Sequence, residues 1–119
     1  MEEISNIMDY EKYKEFQVIS KGTDDLLIKL LDKYEETSMV YIQSIKGALL
    51  KRDINGLLGE IHSLKGATAT LALNEIYKMI FKLEEEVKGN RTDNVEKVMD
   101  IVEKKLVEVN LFKEFLKNK

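Results

Sequence analysis

Residues 54–71 read INGLLGEIHSLKGATATL, and their pattern predicts the kind of structure that the whole chain forms. Core-type side chains recur at intervals of three and four, at Ile54, Leu57, Ile61, Leu64, Thr68 and Leu71. Because an α-helix completes a turn in about 3.6 residues, this spacing places them on one face. The stretch therefore predicts an amphipathic helix with one buried side.

Upstream, two similar stripes predict further helices. Asp9 is typical of an N-cap and opens a short leader helix over about residues 9–19. Thr23 is the next cap, and an apolar stripe runs from it to about residue 51. This stripe fits one long helix or two helices broken near Thr37-Ser38.

Downstream, a stripe over about 73–87 stops at Gly89-Asn90. Asp93 and Glu96 then have the spacing of a capping box, and a last stripe continues towards residue 118. The chain has no proline and no sustained period-two alternation. We predict an all-α fold, an antiparallel up-down-up-down four-helix bundle with a short N-terminal helix. Residues 1–119 are expected to form a single domain, with the bundle over about 23–118.

Composition excludes several classes of protein. The chain has no cysteine, which excludes disulfides and thiol catalysis. Charged residues make up 34% of it, with a net charge of −3 and both signs interspersed, so nucleic acid is not an expected partner. No apolar run approaches the roughly 20 residues of a membrane span, and the first residues are acidic and polar rather than signal-like. We therefore expect a cytoplasmic protein without a membrane partner.

The chain's single histidine, His62, lies at the edge of the predicted buried face, about 80° from Ile54 on the helical wheel. Gly59, Gly66 and Ala69 lie on the same side, so the imidazole is expected to project from a surface of small side chains. Each glycine in a helix interior costs about 1 kcal/mol relative to alanine. Their presence favours close approach by a large partner.

Lys65 follows His62 by three residues, where its ammonium can reach an anion attached to the ring. A phosphoryl group on the imidazole is the natural candidate. The simplest alternative is an exposed histidine with a lysine nearby by chance. A metal site would need several carboxylates around His62, and Lys65 would repel the cation. Ser63 adjoins His62 but points about 100° away on a helix, which excludes a serine hydrolase pair.

The segment His62-Ser63-Leu64-Lys65-Gly66 resembles the H-x-L-K-G signature of histidine-containing phosphotransfer (HPt) domains. Leu50-Lys51-Arg52-Asp53 is similar to the turn before the histidine helix of that family, and Leu83-Glu84 falls where the family usually has Leu-Glu. The resemblance covers about residues 23–109. It departs at Ile61, where many members have alanine, and at Ala72, where many have glycine. A milder break after the histidine helix is expected from Ala72.

The resemblance implies that His62 is the phosphoryl acceptor and that Lys65 helps to hold the phosphate. Glu84 is similar to an acidic residue that hydrogen-bonds the active imidazole in chemotaxis-type members. Its alternative is a solvated glutamate within the run Glu84–Glu86. The expected docking surface for a partner domain consists of Gly59, Ser63, Gly66 and Ala69.

The implied partners are response-regulator receiver domains and a histidine kinase. His62 would take the phosphoryl group from a receiver aspartate or a kinase domain and pass it to another receiver. Mg²⁺ is expected on the receiver, and no metal or cofactor on this chain. The sequence has no Gly-rich nucleotide loop or Walker lysine, so we expect a phosphotransfer intermediate rather than an ATP-dependent kinase.

Two other functions remain open at this point. One is a non-catalytic helical interaction or scaffold module that docks receiver domains without phosphotransfer. The other is a self-associating coiled-coil bundle, which the interrupted heptads disfavour. Both a free-standing protein and the N-terminal module of a larger kinase fit these residues.

Overall fold

The computed structural model describes residues 2–119, and over this range the chain forms helices and no strand. The six helices within it are α1 (Glu2–Ser5), α2 (Tyr10–Ile19), α3 (Asp25–Leu50), α4 (Ile54–Thr70), α5 (Asn74–Lys88) and α6 (Val95–Lys117). The all-α prediction is confirmed. The leader helix lies where it was predicted, whereas α1 was not predicted because one turn is too short to show a helical stripe.

Helices α3 to α6 form the bundle. In chain order α3 packs on α4, α4 on α5 and α5 on α6, and α6 closes the ring against α3. Short connections make successive helices antiparallel, which confirms the up-down-up-down arrangement. Helix α2 packs on α3 and α1 packs on α2, so the leader covers one side of the long helix.

Helix α3 is unbroken at Thr37-Ser38. Ser38 is fully buried, and its hydroxyl donates to the Glu35 carbonyl one turn back, which satisfies the polar group inside the bundle. A second buried polar pair joins α3 to α4, where the hydroxyls of Tyr34 and Thr68 lie 2.9 Å apart. Burial raises the pKa of Tyr34 to about 12.

Two of the five helices after α1 begin with an aspartate N-cap whose side chain accepts a backbone hydrogen bond. Asp9 accepts a hydrogen bond from the Lys12 N–H, which confirms its predicted role, and Asp53 accepts from the Gly56 N–H. The starts of α3 and α6 differ from prediction.

Thr23 is not the N-cap of α3, because the helix begins one residue later with Asp24 at that position. The Thr23 hydroxyl still accepts from the Asp25 N–H at 3.3 Å. The prediction that Asp93 and Glu96 form a capping box at the start of α6 is wrong. Asn94 is the N-cap of α6 without a side-chain cap hydrogen bond, and its amide donates to Glu86 instead.

The four helices α2 to α5 all end in the same way. The residue after each C-cap has a positive φ: 56° at Lys21, 55° at Arg52, 50° at Ala72 and 63° at Asn90. The following N–H reaches back five residues, as from Leu73 to the Thr68 carbonyl, which is the Schellman pattern. The prediction of a milder break at Ala72 is therefore wrong. Ala72 adopts the left-handed backbone conformation, which a glycine would adopt without strain.

In the part of the chain that the structure describes, none of the helices is both long and apolar enough to cross a lipid bilayer.

Candidate functional site

His62 lies in the middle of α4, on the rim of its buried face. Ile61 and Leu64 are fully buried beside it, because they belong to the apolar stripe that packs into the bundle. The His62 side chain is 72% exposed. The position predicted from the helical wheel is confirmed, and the ring is open to solvent and to a partner.

Glu84 on α5 meets His62 across the α4–α5 interface. Its side chain is only 2% exposed, and its Oε2 lies 2.9 Å from His62 Nδ1. The other carboxylate oxygen, Oε1, accepts a hydrogen bond from Lys65 Nζ at 2.5 Å. The alternative of a solvated Glu84 is therefore wrong: one buried carboxylate connects the histidine and the lysine.

The helix pair explains why these three side chains meet. His62 lies ten residues before Ala72 in the α4–α5 turn and Glu84 twelve residues after it, so two antiparallel helices bring them level. Glu84 follows Ile80 by four residues and precedes Val87 by three, which is a buried position of the α5 stripe. An acidic residue at a buried helix position is the sequence signal that indicates a partnered carboxylate.

The charges of this cluster stabilise one another. Burial alone would raise the pKa of Glu84, but hydrogen bonds from Lys65 and His62 outweigh it and hold that pKa below its ordinary value. The hydrogen bond to Glu84 in turn raises the pKa of Lys65. Glu84 is therefore a carboxylate and Lys65 an ammonium at neutral pH.

The contact with Glu84 distinguishes the two ring nitrogens of His62. A carboxylate accepts hydrogen bonds, so Nδ1 must carry the proton that lies between it and Oε2. In a neutral imidazole the lone pair then resides on Nε2. Among residues 2–119 no side chain is hydrogen-bonded to Nε2, so this nitrogen is free to react.

The four residues predicted to form the docking surface are all exposed: Gly59, Ser63, Gly66 and Ala69. A Cβ added at Gly59 or Gly66 would meet nothing within 4 Å. Packing within the chain therefore does not require glycine at either position. The Ser63 hydroxyl donates to the Gly59 carbonyl and lies against its own helix. The surface beside the imidazole therefore consists of small side chains.

One aromatic residue near the cluster was missed by the sequence analysis. Phe81 is 45% exposed on α5, and its ring centroid lies 5.2 Å from Lys65 Nζ, in cation–π range. The Tyr77 ring lies one turn before it, with the two centroids 6.1 Å apart. Phe81 lies off the apolar stripe of α5, which was the available signal.

Over residues 2–119 no group of three or more histidine, cysteine or acidic side chains is arranged to hold a metal ion. The chemistry available at the site is that of a nucleophilic nitrogen beside a carboxylate and an ammonium.

The family model described as Hpt domain matches residues 29–116. No curated protein gives a significant match to the sequence. Among solved structures, the chain is similar to histidine-containing phosphotransfer protein B (HptB) from Pseudomonas aeruginosa PAO1, at 20% identity and a TM-score of 0.80. The match covers 94% of this chain and 96% of that one, and at this identity it shows a shared fold.

Proposed function

Because this chain belongs to the Hpt domain family, whose members carry out histidine phosphotransfer in phosphorelays, we propose that His62 is its phosphoryl acceptor. The observation that carries this proposal is the 72% exposed imidazole whose Nδ1 is held by a buried carboxylate. That arrangement leaves Nε2 without a hydrogen-bond partner among residues 2–119.

The reaction begins with the lone pair of Nε2 attacking the phosphorus of an aspartyl phosphate. An N–P bond forms, the P–O bond to the aspartate breaks, and the aspartate leaves as a carboxylate. The ring becomes positively charged as its lone pair is used, because Nδ1 keeps its proton. Glu84 stabilises that charge across the 2.9 Å contact, so the buried carboxylate favours the phosphorylated state. Transfer to a second receiver is the reverse reaction with a new aspartate.

Lys65 supplies positive charge at the same place. Its ammonium lies on the other oxygen of the Glu84 carboxylate and above the Phe81 ring. A phosphoryl group on Nε2 adds negative charge, and a lysine can rotate its ammonium towards it while staying near Glu84. Phosphoryl transfer depends mainly on position and charge, so these few groups are sufficient on this side of the reaction.

The partners are receiver domains, and a histidine kinase is a second source of the phosphoryl group. The receiver supplies the aspartate and Mg²⁺, and this chain supplies the nucleophile. Exposed Gly59, Ser63, Gly66 and Ala69 let the receiver approach closely enough for in-line attack. We place the reaction in the cytoplasm, where receiver domains act.

The test is phosphoryl transfer to His62→Gln. Receiver domains are phosphorylated with a small-molecule donor and mixed with the wild-type chain or the variant. We expect an acid-labile, alkali-stable label on the wild-type chain and none on His62→Gln, since His62 is the single histidine. Circular dichroism should show equal helix content, because the replaced side chain is exposed.

A label that persists on His62→Gln would overturn the assignment. Receiver binding without any label on either protein would support the alternative of a scaffold module.

A further inference from the structure

Helix α6 carries a row of exposed apolar side chains that the site at His62 does not use. Val107, Leu111 and Phe115 lie one turn apart and are 59%, 66% and 52% exposed. The opposite face of α6 already fills the core, with residues such as Leu106 and Val109 buried. Large apolar side chains on three consecutive outward turns are typical of an interaction surface.

The row adjoins an apolar groove between α3 and α6. The groove has a volume of about 190 Å³, and its walls include Val107, Met39, Ile42 and Leu106. Met39 is itself 58% exposed, so the apolar surface continues from α6 onto α3. Glu35 and Glu103 at its margin pair with lysines of the same chain, which leaves the groove without an unpaired charge.

Two charged residues of opposite sign flank the first two members of the row, Val107 and Leu111. Lys104 precedes Val107 by three residues, and Glu114 follows Leu111 by three. At 100° per residue these four positions lie within an arc of about 80° on α6. Both charged side chains are exposed. Along the helix, this face carries a basic residue, two apolar residues and an acidic residue. Lys104 and Glu114 are each five residues from position 109, and Val107 and Leu111 are each two residues from it.

We propose that this face of α6, together with the α3 margin of the groove, binds a second copy of the chain in an antiparallel, two-fold arrangement. Val107 then lies opposite Leu111 of the second copy, and Lys104 opposite Glu114 of the second copy. Two-fold symmetry repeats each contact, as in other isologous dimers. Leu111 of the second copy reaches the mouth of the groove beside Val107 and Met39.

The order of residues is what favours a second copy over an unrelated protein. An antiparallel dimer needs a face that complements its own reversal, and Lys104, Val107, Leu111 and Glu114 satisfy that condition. Val107, Leu111 and Phe115 also form a ridge of the i, i+4 kind that packs into the grooves of another helix. A basic or an acidic partner would be matched by one charged end of this face and repelled by the other.

We expect the dimer to be weak. A standard stable interface buries about 1,600 Å² in total, and one helix with part of its neighbour supplies less. The dimer should therefore form in a concentration-dependent manner. Helix α6 lies diagonally across the ring from α4, so the association leaves both His62 sites accessible.

Charge reversal tests the proposal. Sedimentation velocity of the full chain over a wide concentration range should show a monomer–dimer equilibrium. Lys104→Glu or Glu114→Lys alone should raise the dissociation constant about tenfold, since each creates two like-charge contacts. The double variant Lys104→Glu/Glu114→Lys should restore wild-type affinity. Lys97→Glu is the matched control, since it makes the same charge change on α6 outside the overlapping segment.

Leu111→Glu tests the apolar centre and should abolish the dimer while the bundle stays folded, because Leu111 is exposed. A chain that remains monomeric at every concentration would overturn the proposal. So would a dimer whose affinity does not respond to the single reversals, or one that the double variant fails to restore.

Discussion

Glu84 is the residue on which the site depends. A buried carboxylate is costly unless hydrogen bonds satisfy it, and here His62 and Lys65 each satisfy one oxygen. The same contacts fix the tautomer of the imidazole and bring the ammonium beside it. One residue of α5 therefore organises two residues of α4.

Replacing Glu84 with glutamine should reduce stability in a pH-dependent manner. Because the pKa of Glu84 is lowered in the folded state, its ionisation stabilises the fold above the ordinary pKa of 4.5, and this contribution is lost as the pH falls through the folded value. We expect Glu84→Gln to lower the free energy of unfolding by about 2 kcal/mol at neutral pH. The difference should shrink below the ordinary pKa.

Urea denaturation followed by circular dichroism at a series of pH values measures this difference. Glu85→Gln makes the same chemical change at the exposed neighbouring position and should have little effect at any pH. Parallel pH profiles for wild type and Glu84→Gln would contradict the predicted role of the carboxylate.

At the scale of the elements, the ends of α2 to α5 place residues other than glycine in a left-handed backbone conformation. None of the four residues with positive φ that terminate α2 to α5 is glycine. Asn90 tolerates the left-handed conformation, whereas Ala72 gains nothing from it. The Ala72 carbonyl also accepts a hydrogen bond from the Asp9 N–H, so this turn anchors the leader helix. The backbone of Ala72 is therefore held by two hydrogen bonds, from its own N–H to the Ala69 carbonyl and from the Asp9 N–H to its carbonyl.

Ala72→Gly should therefore stabilise the protein. The left-handed conformation costs an L-residue about 1–2 kcal/mol, part of which is offset by the greater freedom of glycine in the unfolded chain. We expect a net gain of about 0.5–1 kcal/mol in the free energy of unfolding, measured by urea denaturation. Ala69→Gly, three residues earlier in helical conformation, is the matched control and should destabilise. A loss of stability in Ala72→Gly would contradict the turn geometry.

The helices that could be predicted from the sequence are those with an apolar stripe over several turns. Leu57, Ile61 and Leu64 recur over several turns, and such a period depends only on the helix itself. Helix α1 and the start of α6 were missed or misassigned because a single turn and one capping residue depend on tertiary contacts. Asn94, for example, donates to Glu86 of another helix instead of capping its own.

In the candidate site, features that depend on one helix could be predicted, and features that depend on contacts between helices could not be predicted as fully. The exposure of His62 follows from its angle on one helix. The burial of Glu84 needs the pairing of α4 with α5, although its place between Ile80 and Val87 already indicates it. The contact of Phe81 with Lys65 requires the side-chain conformations of both residues, which no periodic pattern contains.

At the scale of the whole molecule, the ring of four helices separates two surfaces. The α4–α5 interface carries the imidazole and its carboxylate, and the α3–α6 side carries an apolar groove. The first surface is held by the packing of α4 on α5 and by the contacts of Glu84 with His62 and Lys65. We infer that this placement directs phosphoryl chemistry to one nitrogen, Nε2 of His62.

Nitrogen-15 and phosphorus-31 NMR of the phosphorylated chain tests that claim most directly. Phosphoramidate is a small-molecule phosphoryl donor that removes the need for a receiver domain, and the ¹⁵N–³¹P coupling identifies the nitrogen that is bonded to phosphorus. We expect phosphorus on Nε2 of His62, with Nδ1 still protonated against Glu84. Phosphorus on Nδ1, or an imidazole that remains unmodified, would contradict it.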